Sequence, residues 1–394
     1  MRAVVAITLA AGCGFRLPTP ATGGDDGGPN GDMPGDGGAC GWPYAPEYYD
    51  PCALGTPGPA LDLTLTGQYV YDTATGVLTD PLLAASTPPS TDGAVRQLYA
   101  AEFSIGDSSK LRIIGSKPLL VISDTTIAIS GVIDASSFFD GIMFQLGAGA
   151  NPADCPASPP ELGQTCEVEG ASGGGGAGYG AAGGDGGEGG DTHDCNGTDG
   201  KPGGAGGVAA PSFATLRGGC GGRDGAPSMQ PGSDLKVGLG APGGGAFYLS
   251  ARTMVTISSI VHAGGAGGRP SLGGRAGGGG GGTGGMIGLE AVTVIVTTAG
   301  VVAANGGAGG GGADGGLASA GDDAKPDAAI AKGGKREGAG SDGGDGGFLT
   351  TPAGQAGKIA TRGGGGGGGG VGVVHFHYRG LNISGATISP APTP

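Results

Sequence analysis

Two histidines and three evenly spaced acids are the side chains of this sequence that come nearest to a metal site. His375 and His377 are two residues apart, so a strand would place both on one face, but no third ligand is evident. Asp185, Glu188 and Asp191 recur at intervals of three, which would align them along one edge of a three-residue-per-turn helix. We interpret them as solvated acids. We therefore predict no metal and no cofactor, apart from calcium loosely attracted to these acids.

Catalysis is a second kind of chemistry that side chains of this sequence could perform. Enzymes that cleave polysaccharides need paired carboxylates, or an acid beside an Arg or Lys base, on one strand face. The strand-like segments of this sequence present Ser, Thr, Ala and Gly instead, and the acids sit in glycine tracts. His262 stands where similar segments carry Asp134 or Ala303, as expected of a tolerant surface position. The sequence thus predicts no catalytic residue.

The N-terminal residues contain a motif for a different chemistry, the acylation of a cysteine. Arg2 precedes an apolar run over residues 3–11, and the residues up to Cys13 resemble the bacterial lipobox, although Ala10 stands where Leu is usual. We predict export and lipidation of Cys13. Because Gly14 rather than Asp follows, we expect an outer-membrane anchor, on the cell surface or the periplasmic face. No other stretch is apolar enough to predict a membrane-spanning helix.

The remaining cysteines predict disulfide bonds. Seven cysteines minus Cys13 leave an even number, which in an exported chain favours pairing over free thiols. No CxxC pair occurs, which argues against zinc. Spacing alone leaves many pairings open, and among them we favour the local scheme Cys40–Cys52, Cys155–Cys166 and Cys195–Cys220.

The overall composition narrows the class of protein. The chain of 394 residues contains 99 Gly and 28 Pro, 5% aromatic residues, and 37% hydrophobic residues that gather in a few bursts of Val, Ile and Leu. A core must therefore be narrow and shared among short segments. The net charge of −14 disfavours nucleic acid and anionic membrane surfaces as partners.

Four segments of similar pattern predict an all-β fold. Each consists of a strand, a tight bend, a second strand, a bend of small residues and a short third strand, with alternating apolar positions. A segment with one apolar face can bury it only by stacking on another segment. We predict a right-handed parallel β-helix, with residues 103–114 as an extra first coil, built from residues 117–136, 245–264, 285–305 and 373–388.

Long glycine tracts separate these segments. Residues 183–191 and 264–269 repeat Gly-Gly-X with a period of three, and residues 277–282 and 363–370 are pure glycine. Three residues per turn is the period of polyproline II, and such helices made of glycine can pack side by side in a polyglycine II arrangement. The Gly-Gly-X pattern and the low proline content exclude collagen. We favour tracts packed as a layer against the strands, with disordered loops as the alternative.

Changes of composition divide the sequence into a signal peptide, a Gly/Pro/Asp-rich tether, a cysteine-flanked cap, a glycine-rich β-helix body and a tail. In the cap, aromatic residues are expected to close one end of the scaffold, and residues 68–79 to form a hairpin. In order, the five parts span residues 1–12, 13–39, 40–92, 93–390 and 391–394.

Several motifs make the chain similar to a family of glycine-rich predicted outer-membrane lipoproteins from myxobacteria and related bacteria. They are WPY at residues 42–44 with DPC at 50–52, YVYD at 69–72, GSKPL at 115–119, LRGGC at 216–220 and GMIGLEA at 285–291. The glycine tracts resemble mycobacterial PE-PGRS proteins by composition, and the strand segments resemble pectin-lyase-like β-helix repeats. The resemblance implies an outer-membrane location and implies no defined catalytic role.

Two functions from different classes are consistent with these features. The first is a non-catalytic cell-surface lipoprotein, held to the membrane by its N-terminal lipid, with a structural or adhesive role towards polysaccharide, matrix or other surface proteins. The alternative is a β-helix lyase or hydrolase that acts on acidic polysaccharide. We favour the first, because the strand faces lack the acids that the second requires.

Overall fold

Strands account for the regular structure of this chain. The computed structural model contains a single 3-10 turn, Ala39–Gly41, and nineteen β-strands within the residues that it describes, and no α-helix occurs among them. The predicted all-β class is confirmed. The predicted signal peptide and residues 13–38 of the predicted tether, Cys13 among them, lie outside the described residues, as do Cys166, Cys195 and Asp191. The described residues are 39–155, 170–190, 202–211, 214–228 and 236–393.

The strands are short on average, and three of them have ten residues or more. In chain order they are β1 (Leu61–Leu63), β2 (Gly67–Asp72), β3 (Val77–Thr79), β4 (Ala85–Ser86), β5 (Ser90–Asp92), β6 (Arg96–Ala100), β7 (Phe103–Ile105), β8 (Ser109–Ile114), β9 (Leu119–Ser123), β10 (Thr126–Ile129), β11 (Val132–Asp134), β12 (Phe138–Phe139), β13 (Phe144–Gln145), β14 (Ala246–Ile257), β15 (Ile260–His262), β16 (Met286–Val296), β17 (Val301–Ala303), β18 (Val373–Asn382) and β19 (Thr387–Ser389).

Two large sheets hold most of these strands. Sheet A joins β1, β5, β6, β7, β9, β10, β14, β16 and β18, and sheet B has the order β19-β17-β15-β11-β8-β2-β3-β4. Most neighbours pair in parallel, but β5–β6, β2–β3 and β3–β4 are antiparallel, so both sheets are mixed. The β2–β3 pair confirms the hairpin predicted over residues 68–79. The strands β12 and β13 form a separate antiparallel hairpin.

The four segments of similar pattern lie side by side in parallel register. One row of paired residues in sheet A is Leu119, Phe247, Ile287 and Val374. A corresponding row in sheet B is Ile133, Val261, Val302 and Ile388. Both rows belong to one buried apolar cluster, which fills the space between the two sheets. Branched and aromatic side chains suit this arrangement because they pack well on a pleated surface.

Sheet A is buried on its other face as well. Leu119 and Val121 of β9 belong to the cluster between the sheets, whereas the alternating Leu120 and Ile122 belong to a second cluster on the opposite face. The two-residue period of a strand explains this division. It also explains why β9 is apolar throughout, as expected of a strand that is covered on both sides.

Leu289 tests how much the packing between the sheets stabilises the fold. Its side chain is fully buried, so Leu289→Ala leaves a cavity and should lower the free energy of unfolding by about 2–5 kcal/mol. The control is Leu82→Ala, because the Leu82 side chain is 77% exposed and should contribute less than about 0.5 kcal/mol. Urea denaturation measures the free energy of unfolding of both variants. Equal losses of this free energy would contradict a shared apolar cluster between the two sheets.

The long glycine segments occupy equivalent places in the chain path. Each leaves a sheet B strand and ends at a sheet A strand, namely between β11 and β14, between β15 and β16, and between β17 and β18. The connections in the other direction, such as the one from β14 to β15, are short. Because the connected strands are parallel, the glycine segments emerge at the same edge of the sheets and lie next to one another.

Residues 277–285 show how a glycine segment is held. Their backbone N–H groups donate in rotation to three neighbouring segments, at distances of 2.7–3.2 Å. Residues 277, 280 and 283 donate to residues 226, 223 and 220; residues 278, 281 and 284 to 364, 367 and 370; and residues 279, 282 and 285 to 269, 266 and 263. Their carbonyl groups accept from three further segments, at residues 238–244, 174–177 and 307–310. Six segments therefore surround this one.

The last glycine tract has the same hydrogen-bonding pattern. Residues 364, 367 and 370 donate to residues 171, 174 and 177, and residues 363, 366 and 369 donate to residues 313, 310 and 307. A period of three turns successive N–H groups to three sides of the chain, as in a helix with three residues per turn. Each tract ends directly at a strand, since residue 285 precedes β16 and residue 372 precedes β18. These fixed ends reduce the backbone entropy that glycine loses on ordering.

Gly281 tests whether the missing side chains are essential. A Cβ atom at Gly281 would lie well under 3.0 Å from the carbonyl oxygen of Gly307, whereas one at Gly315 would meet nothing within 4 Å. We expect Gly281→Ala to lower the free energy of unfolding by about 1–3 kcal/mol, because neighbouring backbones must separate. Gly315→Ala should be neutral or stabilising by up to about 1 kcal/mol, because Ala restricts the unfolded chain. Denaturant titration distinguishes the two, and equal stability of both variants would contradict close packing.

Candidate functional site

The segment from Cys40 to Cys52, called the cysteine loop below, lies against the outer face of sheet A. The predicted Cys40–Cys52 disulfide closes it. Trp42, Tyr44 and Tyr49 pack in the second apolar cluster, with the ring of Trp42 edge-on to both tyrosines at 5.6 Å between centroids. The prediction that these aromatic residues close one end of the scaffold is wrong. They cover a face, because alternate residues of the sheet A strands are apolar.

A carboxylate lies beneath the cysteine loop. Glu290 of β16 has no solvent exposure. Its Oε2 accepts a hydrogen bond from Ser250 Oγ at 2.7 Å, and its Oε1 accepts one from the backbone N–H of Glu47 at 3.0 Å. The same Oε1 lies 2.7 Å from Nδ1 of His377. A buried charge is tolerated only with partners of this kind. Glu290 thereby connects three sheet A strands to the loop.

Ser250 extends this network to two tyrosines. Its Oγ lies 2.8 Å from the hydroxyl of Tyr49 and 3.2 Å from that of Tyr44. The Tyr44 hydroxyl also donates to the carbonyl of Ala251 at 2.9 Å. Burial, with the charge of Glu290 adding to it for Tyr44, raises the pKa of both hydroxyls well above the ordinary value. Both tyrosines therefore stay protonated and act as donors.

A second acid–imidazole pair lies beside the first. His375 Nε2 is 2.7 Å from Glu47 Oε2, and the hydroxyl of Tyr248 lies 3.4 Å from the same oxygen. Gly288 pairs with Tyr248 on one side and with His375 on the other. A Cβ atom at Gly288 would overlap the ring of Tyr248. The glycine in the middle of β16 is therefore needed to make room for this ring.

The pKa values of His377 and Glu47 shift in the directions expected for ion pairs. Burial opposes protonation of His377, but the hydrogen bond and charge of Glu290 outweigh burial and raise the pKa of His377 above its ordinary value. Burial likewise opposes ionisation of Glu47, but the hydrogen bond and charge of His375 lower the pKa of Glu47. Glu290 thus favours the charged form of His377, and His375 favours the charged form of Glu47.

Solvent access decides what this cluster can do chemically. An acid and a histidine at hydrogen-bond distance are the components of general acid–base catalysis, but such a group must reach its substrate. Glu290 is fully covered, and both of its oxygens are engaged by protein donors. Only the side chains of Glu47, at 32% exposure, and His377, at 17%, reach solvent appreciably. The geometry suits a polar contact that fixes the cysteine loop to the sheet. We call the contacts of Glu290 with Ser250, His377 and the Glu47 N–H the clasp.

A second charged cluster lies on sheet B. Arg112, Asp134 and His262 are neighbours in one row across β8, β11 and β15. Asp134 Oδ1 is 2.9 Å from Arg112 Nη1 and 3.3 Å from His262 Nε2, and Oδ2 is 2.6 Å from Lys110 Nζ. The Asp134 side chain is 4% exposed, and the ring of Phe138 covers the Arg112 guanidinium at 5.0 Å. This acid is also held by strand neighbours and sealed from solvent.

The histidine of this cluster behaves differently from His377. Burial lowers the pKa of His262, and the charge of Asp134 only partly offsets that effect, since Lys110 and Arg112 repel a third positive charge. Burial also opposes ionisation of Asp134, but the nearby cationic groups and the Ser136 hydroxyl hold the pKa of Asp134 well below its ordinary value. Asp134 is therefore charged, and the two permanent cations balance it.

The two clusters correct the sequence analysis. His262 is not a tolerant surface position, because its side chain is 12% exposed and contacts Asp134. The expectation that the acids sit in glycine tracts is wrong for Asp134 and Glu290, which lie on strand faces beside basic partners. Their partners are distant in sequence, so spacing could not find them. The only sequence signal was an acid inside an apolar strand, as in β16.

The second disulfide also differs from the prediction. Cys155 pairs with Cys220, across 65 residues. A backbone hydrogen bond from Asn151 N–H to the Gly219 carbonyl, at 2.9 Å, brings the two segments together. Tertiary packing rather than nearness in sequence therefore decides this pairing. Two predicted pairs are wrong, Cys155–Cys166 and Cys195–Cys220.

The weak metal-binding candidates do not converge on one point. His375 and His377 share a face of β18, but each contacts a different glutamate. Asp185 accepts a hydrogen bond from the Gly206 N–H at 2.7 Å, and Glu188 is partly exposed. Within the described ranges, no group of three or more His, Cys, Asp or Glu side chains could hold a metal ion. Nor does any helix in this part of the chain have the length and apolarity to span a membrane.

Comparisons with protein-family models, curated proteins and solved structures give no match to this chain. What remains as evidence of location is the chain's own chemistry. Two disulfides are typical of an extracellular or periplasmic protein, because thiols stay reduced in the cytosol.

His377 and His262 predict opposite pH dependences of stability. His377, with a raised pKa, stabilises the fold fully below about pH 6.5, and this contribution is lost as the pH rises through its folded pKa. His262, with a lowered pKa, destabilises the fold as the pH falls below about 6.5. Thermal melting between pH 5 and about 8 should show that His377→Gln removes an alkaline loss of stability. His262→Gln should instead remove an acidic loss. Parallel profiles for the two variants would contradict both assignments.

Proposed function

We propose that this chain is an exported, non-enzymatic surface lipoprotein with a structural or adhesive role. One observation carries the proposal: the glycine segments are joined to one another by backbone hydrogen bonds that repeat every third residue. A body built in this way is stiff and repetitive, and the acids on its strand faces, Glu290 and Asp134, are closed to solvent, which catalysis does not allow. Contacts with polysaccharide, matrix or neighbouring surface proteins suit such a body.

The fold that we propose for this role is a right-handed parallel β-helix with a polyglycine II-type layer. The parallel rows through β14, β16 and β18, and through β15, β17 and β19, support successive coils. Crossovers between parallel strands of one sheet are nearly always right-handed, which favours that hand here. The three-residue hydrogen-bond period and the six neighbours of residues 277–285 support the glycine layer.

Hydrogen exchange tests the stiffness on which this role depends. Amides at residues 306–313, and many of those within residues 173–187, donate to other glycine segments, so we expect these amides to exchange on the scale of minutes to hours. The amides of Gly281→Ala should lose much of this protection, whereas those of Gly315→Ala should keep it. Complete exchange of both regions within seconds in the wild type would remove the basis for the proposed structural role.

The lipid anchor needs a test of its own. Radiolabelled palmitate should enter the wild-type chain in a bacterial host that processes lipoproteins, because Cys13 supplies the acylated thiol. Cys13→Ala should remove the label without affecting the disulfides, since Cys13 is none of the four cysteines that are bonded in the described residues. Equal labelling of both chains would refute the anchor.

A β-helix enzyme acting on acidic polysaccharide is the second candidate, favoured by the sheet B cluster. Asp134 with Lys110 and Arg112 on one sheet face is the combination of acid and base that such an enzyme uses. The cover by Phe138 argues against it. Purified protein can be assayed on a panel of polysaccharides. Turnover that is abolished by Asp134→Asn and retained in His377→Gln would end the structural proposal.

A further inference from the structure

The hairpin formed by β12 and β13 presents an exposed apolar tip. Ile142 is 84% exposed, Met143 59% and Leu146 43%. Asp140 organises the turn, because its Oδ1 accepts hydrogen bonds from the backbone N–H groups of Ile142 and Met143, at 2.8 and 2.9 Å. Its own N–H donates to the Met143 carbonyl at 3.2 Å. The tip is therefore preorganised, and these backbone donors need no water.

The base of this hairpin is fixed to the body. The rings of Phe139 and Phe144 meet edge-on at 5.4 Å between centroids. The guanidinium of Arg269 lies 3.6 Å from the centre of the Phe139 ring, and that of Arg112 lies 5.0 Å from the centre of the Phe138 ring. Cation–π contacts of this kind hold the hairpin in place without covering its tip.

We propose that this hairpin inserts its tip into the interface of a lipid bilayer. The N–H groups of Ile142 and Met143 are already satisfied by Asp140, whose exposed carboxylate stays in water, so the insertion is shallow and only the aliphatic side chains of the tip enter the lipid. Aromatic rings directly behind an aliphatic tip, and a cationic group behind the rings, match the order of acyl chain, interface and headgroup. A convex tip can also enter a lipid interface without a complementary pocket, whereas a protein partner would have to provide one. The inference depends on the proposed function only for placing the chain next to a membrane.

A second exposed turn of the same chain supplies a matched control. Leu82 and Leu83 are 77% and 84% exposed, and Asp80 Oδ1 accepts the N–H groups of Leu82 and Ala84. No aromatic or basic residue occurs within residues 80–86. Since β3 runs antiparallel to β2, this turn lies towards the amino end of β2, whereas the hairpin follows the carboxyl end of β11. The two tips thus have similar exposure but different surroundings and locations.

The experiment uses the full-length chain with Cys13→Ser, so that no lipid anchor contributes. Met143→Trp and Leu83→Trp are introduced separately and mixed with vesicles of brominated phosphatidylcholine, a zwitterionic lipid chosen because the chain is acidic. Trp42 is buried and adds the same background to both. We expect fluorescence quenching of Met143→Trp to be at least about threefold that of Leu83→Trp. The double variant Ile142→Ser, Met143→Ser should bind the vesicles about tenfold more weakly, with unchanged melting temperature.

Three results would overturn the inference. They are absence of vesicle binding by the Cys13→Ser chain, equal quenching at the two tips, and a change of oligomeric state in the Ser double variant without lipid, which would identify a second copy as the occupant. None of these results bears on palmitate labelling or hydrogen exchange. Failure of the hairpin inference is therefore distinguishable from failure of the proposed function.

Discussion

Close approach of backbones without side chains is the constraint on which the rest of this structure depends. At Gly281 the N–H group donates to Gly367, and the carbonyl group accepts from Ala177, so three separate segments meet at one residue. Any Cβ atom there would displace a carbonyl oxygen of a fourth segment. Glycine is costly to order, and each hydrogen bond contributes only about 1 kcal/mol. Strands β16 and β18 fix the tracts that end at residues 285 and 372, which lowers the cost of ordering the layer.

The strands that hold these ends bury charge in two similar ways. Glu290 and Asp134 each lie on a strand face with a histidine from an adjacent strand. The pKa values of the two histidines nevertheless shift in opposite directions. The pKa of His377 is raised, because the hydrogen bond and charge of Glu290 and the charge of Glu47 outweigh burial, whereas the pKa of His262 is lowered, because burial outweighs the charge of Asp134. Burial is the largest cause of the low pKa of His262, and the two permanent cations beside Asp134 add to it.

The covered acids, the fixed cysteine loop and the glycine layer together favour the proposed structural role over a catalytic one. The clasp at Glu290 fixes the cysteine loop, which follows the N-terminal segment in the sequence, against the outer face of sheet A. A covalent bond within the loop and ion pairs beneath it oppose a pull on that segment. The glycine layer adds width to the body, and several of its charged side chains are paired with one another, as Lys332 is with Asp345 and Lys358 with Asp342. These properties support the structural proposal over the hydrolase, which would require an acid open to substrate.

The sequence by itself determined the all-β class, the hairpin over residues 68–79 and the period of three in the glycine tracts, and the preference for local cysteine pairs was right only for Cys40–Cys52. All of these are local, because they follow from residue types within a few positions of one another. Only the tertiary structure decided the pairing of Cys155 with Cys220, the face covered by the aromatic loop, and the partners of Glu290 and Asp134. Those contacts join residues 22 to 243 positions apart. They depend on the register of stacked strands, which spacing along the chain does not specify.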